Sequence, residues 1–215
     1  MRWLDIKSLP LPRRLLRVLG ISARRRTTFT SFESYLPELV KWANPERVLE
    51  FGPGTSSRII LDNSHARVLS FETDSGYYAR AKAGIRSERF ELRYTASGPD
   101  FAALAGSSFD FVFVDGGDRV ANLIGAHLLL RNDGVLVLHD AHREGYLPGV
   151  QRYPYGYFIE NHSLLLFKSR ERFEAVSERF PPDSSCACKY CGTEPRVEYR
   201  VKLGQSLRSG SSGVA

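Results

Sequence analysis

The chain has 215 residues, of which 42% are hydrophobic and 12% aromatic, and its formal net charge is +6. This length and composition suit one domain with a full core and extensions at its ends, so a second domain is not needed. No apolar run approaches the ~20 residues of a membrane-spanning helix and the amino terminus lacks the apolar segment of a secretory signal, so we expect a soluble cytoplasmic protein whose three cysteines lie in a reducing compartment.

The amino-terminal residues 1–29 are predicted to form a basic arm. Residues 1–26 carry eight lysines and arginines against one aspartate, a balance of +7 that leaves −1 for the rest of the chain. A short basic amphipathic helix between Pro12 and Gly20 would suit an anionic surface or an acidic partner, and an organelle-targeting peptide has a similar composition. The alternative is a solvated arm whose leucines pack on the domain. The arm has no feature that would recognise nucleotide bases, so we do not expect nucleic-acid binding.

A helix is predicted next, at the start of a domain that we place at residues 30–180. Thr30 to Glu33 fits a capping box. Pro37 predicts either a kink or a helix that begins nearer Ser34. Apolar residues recur at helical spacing as far as Ala43, namely Phe32, Tyr35, Leu36, Leu39 and Val40.

The residues from Val48 to Phe51 form a short apolar strand that ends in the turn Gly52-Pro53-Gly54, after which a helix should begin. Without a Cβ, the two glycines allow a ligand to approach the backbone and the N–H groups of the next helix. A dinucleotide fingerprint would need a third glycine where Ser57 stands. Glu50 places negative charge at the strand end, which disfavours phosphates and favours a cation.

Further strands follow at regular intervals. Arg67 to Glu72 ends in an acid about 20 positions after the turn, where a carboxylate can accept hydrogen bonds from ribose hydroxyls. Phe90–Tyr94 alternates as a third strand, and two buried strands then lead to Asp115 and Asp140. Five strands alternating with helices predict an α/β, doubly wound, Rossmann-like parallel sheet with a ligand crevice at the carboxyl ends of its strands.

The segment E-F-G-P-G-T-S, Glu50 to Ser56, resembles motif I of the class I S-adenosylmethionine-dependent methyltransferases, with Ser56 in place of the usual third glycine. The resemblance implies a mostly parallel seven-stranded sheet with a carboxyl-terminal antiparallel hairpin. Two apolar segments, Tyr155 to Glu160 and Ser163 to Lys168, fit that hairpin. The family also implies that the helix before motif I closes over the substrate, a plain core helix being the alternative.

The resemblance further implies S-adenosylmethionine as cofactor and a small-molecule acceptor. Glu72 would bind the ribose, and residues 95–97 would lie beside the adenine. The cofactor-binding residues implied in this way are Glu50, Gly52, Pro53, Gly54, Thr55, Ser56, Glu72, Thr73, Ala96, Ser97 and Asp115.

Two later segments, around Asp115-Gly116-Gly117 and His139-Asp140, resemble the O-methyltransferase branch, in which acids after the fourth and fifth strands hold a divalent metal. The resemblance implies that Asp115 and Asp140 are ligands for Mg²⁺, which suits carboxylate oxygens. Ala141 stands where catechol-type members have a metal-binding asparagine. A third ligand would have to come from Asp118, His139 or His142.

Without a metal, His142 or His139 is the natural general base, since the histidine pKa lies near neutrality. The predicted catalytic set is therefore Asp115, Asp140 and His142. Arg119 is predicted either to bind an acidic substrate group or to lie in solvent. Residues 143–157, rich in glycine, proline and tyrosine, are predicted to form a loop that supplies aromatic walls for an acceptor or covers the sheet edge.

The tail, residues 181–215, contains Cys186, Cys188 and Cys191, which are close enough in sequence to reach one metal. Zinc or an iron–sulfur cluster would need a fourth ligand such as His162 or one from a second subunit, so surface thiols are the default. Two other functions stay open. One is an aminopropyltransferase-like or other nucleoside-binding enzyme, which would need an acidic pocket. Asp115 and Asp118 are the residues that suggest such a pocket. The other is a non-catalytic scaffold that uses the arm and the tail.

Overall fold

The computed structural model of the protein describes residues 32–141, 143–159 and 163–182. The basic arm, residues 1–29, lies outside the described residues, as do Thr30 and Ser31 of the expected capping box. His142, His162 and the three cysteines of the tail lie outside them as well.

Helices and strands alternate along the described chain, as the sequence predicts. In chain order the elements are α1 (Phe32–Ala43), β1 (Arg47–Phe51), α2 (Thr55–Asn63), β2 (Arg67–Glu72), α3 (Ser75–Gly84), β3 (Phe90–Tyr94), β4 (Phe109–Val114), α4 (Arg119–Leu129), β5 (Leu130–Leu138), a 3₁₀ turn (Glu144–Tyr146), α5 (Leu147–Val150), β6 (Tyr155–Ile159), β7 (Ser163–Phe167) and α6 (Arg170–Arg179).

The strands form one seven-stranded sheet in the order β3-β2-β1-β4-β5-β7-β6. Strands β1 to β5 pair in parallel, whereas β7 is antiparallel to both β5 and β6. This arrangement confirms the doubly wound α/β fold and its antiparallel hairpin. Strand β5 begins at Leu130, earlier than the predicted Gly134, because Leu130 pairs with Phe109. The extra residues of β5 between Leu130 and Val135 then shift the register before Val135 pairs with Phe111.

Helix α1 buries one apolar face, as its spacing predicts. The five predicted residues Phe32, Tyr35, Leu36, Leu39 and Val40 are all buried. The helix is already formed at Phe32, so the expectation that it begins nearer Ser34 is wrong. Pro37 lies inside the helix, and its missing N–H leaves one helical hydrogen bond unmade.

An apolar cluster covers each face of the sheet, because successive residues of a strand point to opposite sides. The cluster on one face includes residues of α1, α2 and α6, together with Phe111 and Phe113 of β4. The cluster on the other face includes residues of α4 and α5, together with Val112 and Val114. Both faces of the central parallel strands β1 and β4 are therefore buried, and polar groups reach solvent at the strand ends.

The register aligns the carboxyl ends of four neighbouring strands. Phe51 pairs with Phe71 of β2 and with Val114 of β4, and Val114 pairs with Leu138 of β5. Backbone hydrogen bonds continue one residue beyond the strands, where Asp115 N donates to Phe51 O at 2.8 Å. The residues one position beyond these aligned residues consequently lie in one row at this edge: Glu72, Gly52, Asp115 and His139.

Candidate functional site

At the centre of the row, Gly52 and Gly116 are in direct backbone contact. A Cβ on Gly52 would lie 2.8 Å from Gly116 N, and a Cβ on Gly116 would lie 2.6 Å from Gly52 Cα. Gly52 also has a φ of +89°, which side chains rarely adopt. The sequence predicted that a ligand would approach the backbone at Gly52. In the structure, the backbone of Gly116 occupies that space.

The second glycine of the turn, Gly54, lies beside open space. Apart from Gly54 and its two chain neighbours, no residue of the described chain has an atom within 4 Å of the position that a Cβ on Gly54 would occupy. Helix α2 begins at the next residue, Thr55, which is exposed. Gly54 is therefore the residue of this turn that leaves room for a ligand against the backbone.

Glu50 lies behind the turn and is completely buried. Ser56 Oγ donates to its Oε1 at 2.7 Å, and Ser57 Oγ donates to its Oε2 at 2.6 Å. Ser57 Oγ also accepts the N–H of Gly54 at 3.0 Å, so the buried acid is connected to the ligand turn through one hydroxyl.

Burial raises the pKa of Glu50 from its ordinary 4.5 to about 7, because the two serine hydrogen bonds offset only part of the desolvation and the charge of Asp115 raises the pKa further. The raised pKa weakens the negative charge of Glu50 near neutral pH, and its role as a cofactor-binding residue stays a prediction.

Glu72, the predicted ribose residue, ends β2 and is 7% exposed. Its Oε1 accepts the N–H groups of Thr73 at 2.7 Å and Asp74 at 2.8 Å. These bonds orient the carboxylate and employ one of its two oxygens. Thr95, which follows β3, donates its N–H to the carbonyl oxygen of Glu72, so the predicted adenine segment begins at the same edge.

Asp115 has two partners on neighbouring elements. Its Oδ1 accepts from Arg119 Nη2 at 3.0 Å and lies 2.9 Å from His139 Nδ1. Because an ionised carboxylate only accepts, the proton of this second bond belongs to Nδ1. Arg119 also donates to the main-chain oxygen of Asp115 at 2.7 Å and is 15% exposed in its side chain. Arg119 is thus ion-paired and mostly buried, so the prediction that it lies in solvent is wrong. Its binding of an acidic substrate group stays a prediction.

Asp140 completes the group. It has a φ of +53°, and its Oδ1 lies 3.9 Å from His139 Nε2. Asp115, His139 and Asp140 each offer one ligand atom within 4.8 Å of the others. The guanidinium of Arg119 touches the same Asp115 oxygen, however, and would repel a divalent cation held there. These residues therefore do not fit the Mg²⁺ that the resemblance implies.

Asp118, which the sequence placed among the metal or polyamine ligands, caps α4 instead. Its Oδ1 accepts the N–H groups of Val120 at 3.0 Å and Ala121 at 3.1 Å.

We expect Asp118→Ala to lower the free energy of unfolding by about 1 kcal/mol through the lost cap. Urea denaturation measures this loss. The exposed Asp62 provides the control, since Asp62→Ala should change stability by less than about 0.5 kcal/mol. Equal losses in both variants would contradict the capping role.

The segment 143–157 is more ordered than the predicted loop, since it contains the 3₁₀ turn, α5 and the start of β6. Tyr153 and Tyr157 are buried and donate their hydroxyls to the carbonyls of Leu123 and Phe180. They are structural residues and do not form acceptor walls. Tyr146 lies near the site, with the Arg119 guanidinium 5.5 Å from its ring centroid.

The other predicted cofactor residues surround the same edge. Pro53 is buried, Thr73 is half-buried, and Ala96 and Ser97 are exposed in the turn after β3. Sequence reasoning missed the roles of Ser57 and Arg119. The spacing of Arg119 four residues after Asp115 was a signal for their ion pair, whereas no local signal showed that Ser57 reaches Glu50.

No family model and no curated protein matches the chain. Solved structures do match. A methyltransferase from Geobacter sulfurreducens has 19% identity and a TM-score of 0.52, over 76% of this chain and 93% of its own. An O-methyltransferase from Bacillus cereus, in complex with SAH, has 19% identity and a TM-score of 0.53, over 74% and 91%. The chain has the fold of these methyltransferases.

The methyltransferase fold is shared by a further match with different chemistry. Spermidine synthase from Thermotoga maritima has 14% identity and a TM-score of 0.54, over 81% of this chain and 74% of its own. Identities at this level establish the fold, and the reaction has to be argued from the site. Within the described part of the chain, every helix is too short or too polar to cross a membrane.

Proposed function

We propose that the protein is an S-adenosylmethionine-dependent methyltransferase that transfers a methyl group to oxygen on a small-molecule acceptor. The observation that supports this proposal is the common row of Glu72, the Gly52–Gly54 turn and Asp115 at the carboxyl edge of the sheet. Ligands of open α/β sheets bind at this edge, near the point where the strand order reverses. That reversal lies between β1 and β4 here.

Two features of this edge support the cofactor that we propose. The open space beside Gly54 admits it against the backbone, and the second oxygen of Glu72 is available to the ribose hydroxyls. When bound, S-adenosylmethionine supplies a methyl group on a sulfonium that is already activated for displacement. The protein therefore has to align donor and acceptor and to take the acceptor's proton.

Asp140 is the proton acceptor that we assign. Its side chain is 31% exposed, whereas that of His139 is 8% exposed. The hydrogen bond between His139 Nδ1 and Asp115 fixes the imidazole ring, whose Nε2 lies 3.9 Å from Asp140 Oδ1. His142 remains a predicted base because it lies outside the described residues.

Aminopropyl transfer is the alternative on the same fold, but it needs an acidic pocket for a polyamine. Of the two residues that hinted at such a pocket, Asp118 caps α4 and Asp115 is paired with Arg119. The products distinguish the reactions. S-adenosylhomocysteine indicates methyl transfer, and methylthioadenosine indicates aminopropyl transfer.

Calorimetric titration with S-adenosylmethionine tests the proposed site. We expect micromolar binding to the wild type and at least about tenfold weaker binding to Glu72→Ala, since the variant loses a charge-assisted bond to the ribose. Glu88→Ala, which removes an exposed glutamate, is the matched control and should bind like the wild type. A folded wild type that binds no S-adenosylmethionine would refute the proposal and favour the scaffold. Screening acceptors with labelled donor then identifies the substrate.

A further inference from the structure

The carboxylates at the ends of β4 and β5 already have a cation beside them. Arg119 Nη2 contacts Asp115 through both Oδ1 and the main-chain oxygen, at 3.0 and 2.7 Å. The two bonds hold the guanidinium in one orientation against the carboxylate. The ring of Tyr146 lies 5.5 Å from the guanidinium carbon, and only 15% of the Arg119 side chain is exposed. This ion pair is therefore partly shielded from water and is screened less by salt than a surface pair.

The charges around the cluster leave little attraction for a second cation. Asp115 and Asp140 contribute two negative charges when ionised, and Arg119 offsets one of them. His139 places its Nδ1–H, a donor, on the remaining face of Asp115 Oδ1. Glu50 is the nearby third acid, and its two oxygens are occupied by Ser56 and Ser57.

We propose that Arg119 takes the place of the divalent cation. Its guanidinium holds Asp115 in position, and the site works without a metal ion. A metal held by paired carboxylates neutralises them and fixes their orientation. The guanidinium of Arg119 performs both functions for Asp115. His139 bonds Asp115 through Nδ1, and its Nε2 lies 3.9 Å from Asp140 Oδ1. The consequence for catalysis rests on the proposed methyl transfer, but the metal-binding property does not.

Mn²⁺ binding to the full-length protein tests this proposal directly. The protein is treated with EDTA, desalted and titrated with Mn²⁺, followed by calorimetry and by the electron paramagnetic resonance signal of unbound Mn²⁺. Mn²⁺ prefers oxygen and nitrogen ligands, so the cysteines of the tail interfere little. We expect the wild type to bind no Mn²⁺ more tightly than about 1 mM, a value typical of weak carboxylate sites.

The Arg119→Gln variant should gain a binding site for Mn²⁺. Removal of one positive charge a few ångströms from a divalent ion is expected to tighten Mn²⁺ binding by at least about tenfold, with a stoichiometry of one. Arg119→Lys keeps the charge and should behave like the wild type. The double variant Arg119→Gln/Asp140→Asn should lose the gained site, which locates the ion at this cluster.

Binding of one Mn²⁺ by the wild type well below about 1 mM would overturn the proposal, even if the variants fail to fold. Unchanged binding in a folded Arg119→Gln, verified by its thermal melting, would overturn it too. Titration of the same wild-type sample with S-adenosylmethionine separates the two questions. Absent cofactor binding refutes methyl transfer, whereas only the Mn²⁺ result decides whether Arg119 replaces the metal.

Discussion

When the pH is raised from about 5.5 to about 8, we expect the ionisation of Glu50 to lower the free energy of unfolding by about 2 kcal/mol. Burial raises the pKa of Glu50 from 4.5 to about 7 in the folded protein, so the folded state keeps a proton that the unfolded chain releases. The stabilisation is complete below the unfolded pKa and is lost as the pH rises through the folded pKa. Urea denaturation at several pH values measures this change.

The isosteric variant Glu50→Gln provides the control, because it cannot titrate and still offers polar atoms to Ser56 and Ser57. His127 acts in the opposite direction, since burial lowers its pKa and its neutral folded form gains stability as the pH rises. The difference between wild type and variant therefore isolates Glu50 better than the wild-type curve does. If both proteins lose the same stability between the two pH values, Glu50 is not a buried acid with a raised pKa.

The second large effect is a contrast between the two glycines of the turn. Gly52→Ala should lower the free energy of unfolding by about 3 kcal/mol or more, because the new Cβ overlaps the backbone of Gly116 at a positive φ. Gly54→Ala should fold with a loss below about 1 kcal/mol, since its Cβ enters open space. The same methyl group should weaken S-adenosylmethionine binding by at least about tenfold, because it occupies space that the cofactor needs.

Urea denaturation of both variants and calorimetry of Gly54→Ala measure the contrast. Gly116→Ala is the steric control, because its Cβ would approach Gly52 Cα from the other side and should destabilise the protein comparably. A stable Gly52→Ala would show that the turn can relax. Full cofactor affinity in Gly54→Ala would remove this glycine from the proposed site.

Much of the fold was predictable because strands and turns have strong local signals. The apolar run from Phe109 to Val114 and the glycine turn after Phe51 each predict their own local structure from neighbouring residues alone. The spacing of α1 likewise predicted all five of its buried residues. The alternation of strands and helices predicts a parallel sheet. The residues at the carboxyl ends of its strands then lie together at one edge of the sheet.

The partners of the polar residues were less predictable, because hydrogen bonds across elements depend on positions that a linear pattern does not contain. Glu50 appeared to be a charged ligand, but α2 places two serine hydroxyls on it and buries it. Asp118 appeared to belong to a ligand pocket, although it is the cap of α4. The hydroxyls of Tyr153 and Tyr157 donate to the main-chain oxygens of Leu123 in α4 and of Phe180 just after α6, instead of facing an acceptor.

By itself, the amino-acid sequence determined the strands, the turn between them and the row of residues at one edge, since hydrophobic periodicity and glycine placement act over a few residues. Tertiary structure decided which of those residues are charged, buried or already paired. Desolvation and ion pairing depend on everything packed around a group, and for Glu50 and Asp115 the deciding neighbours come from other elements or from the next helical turn.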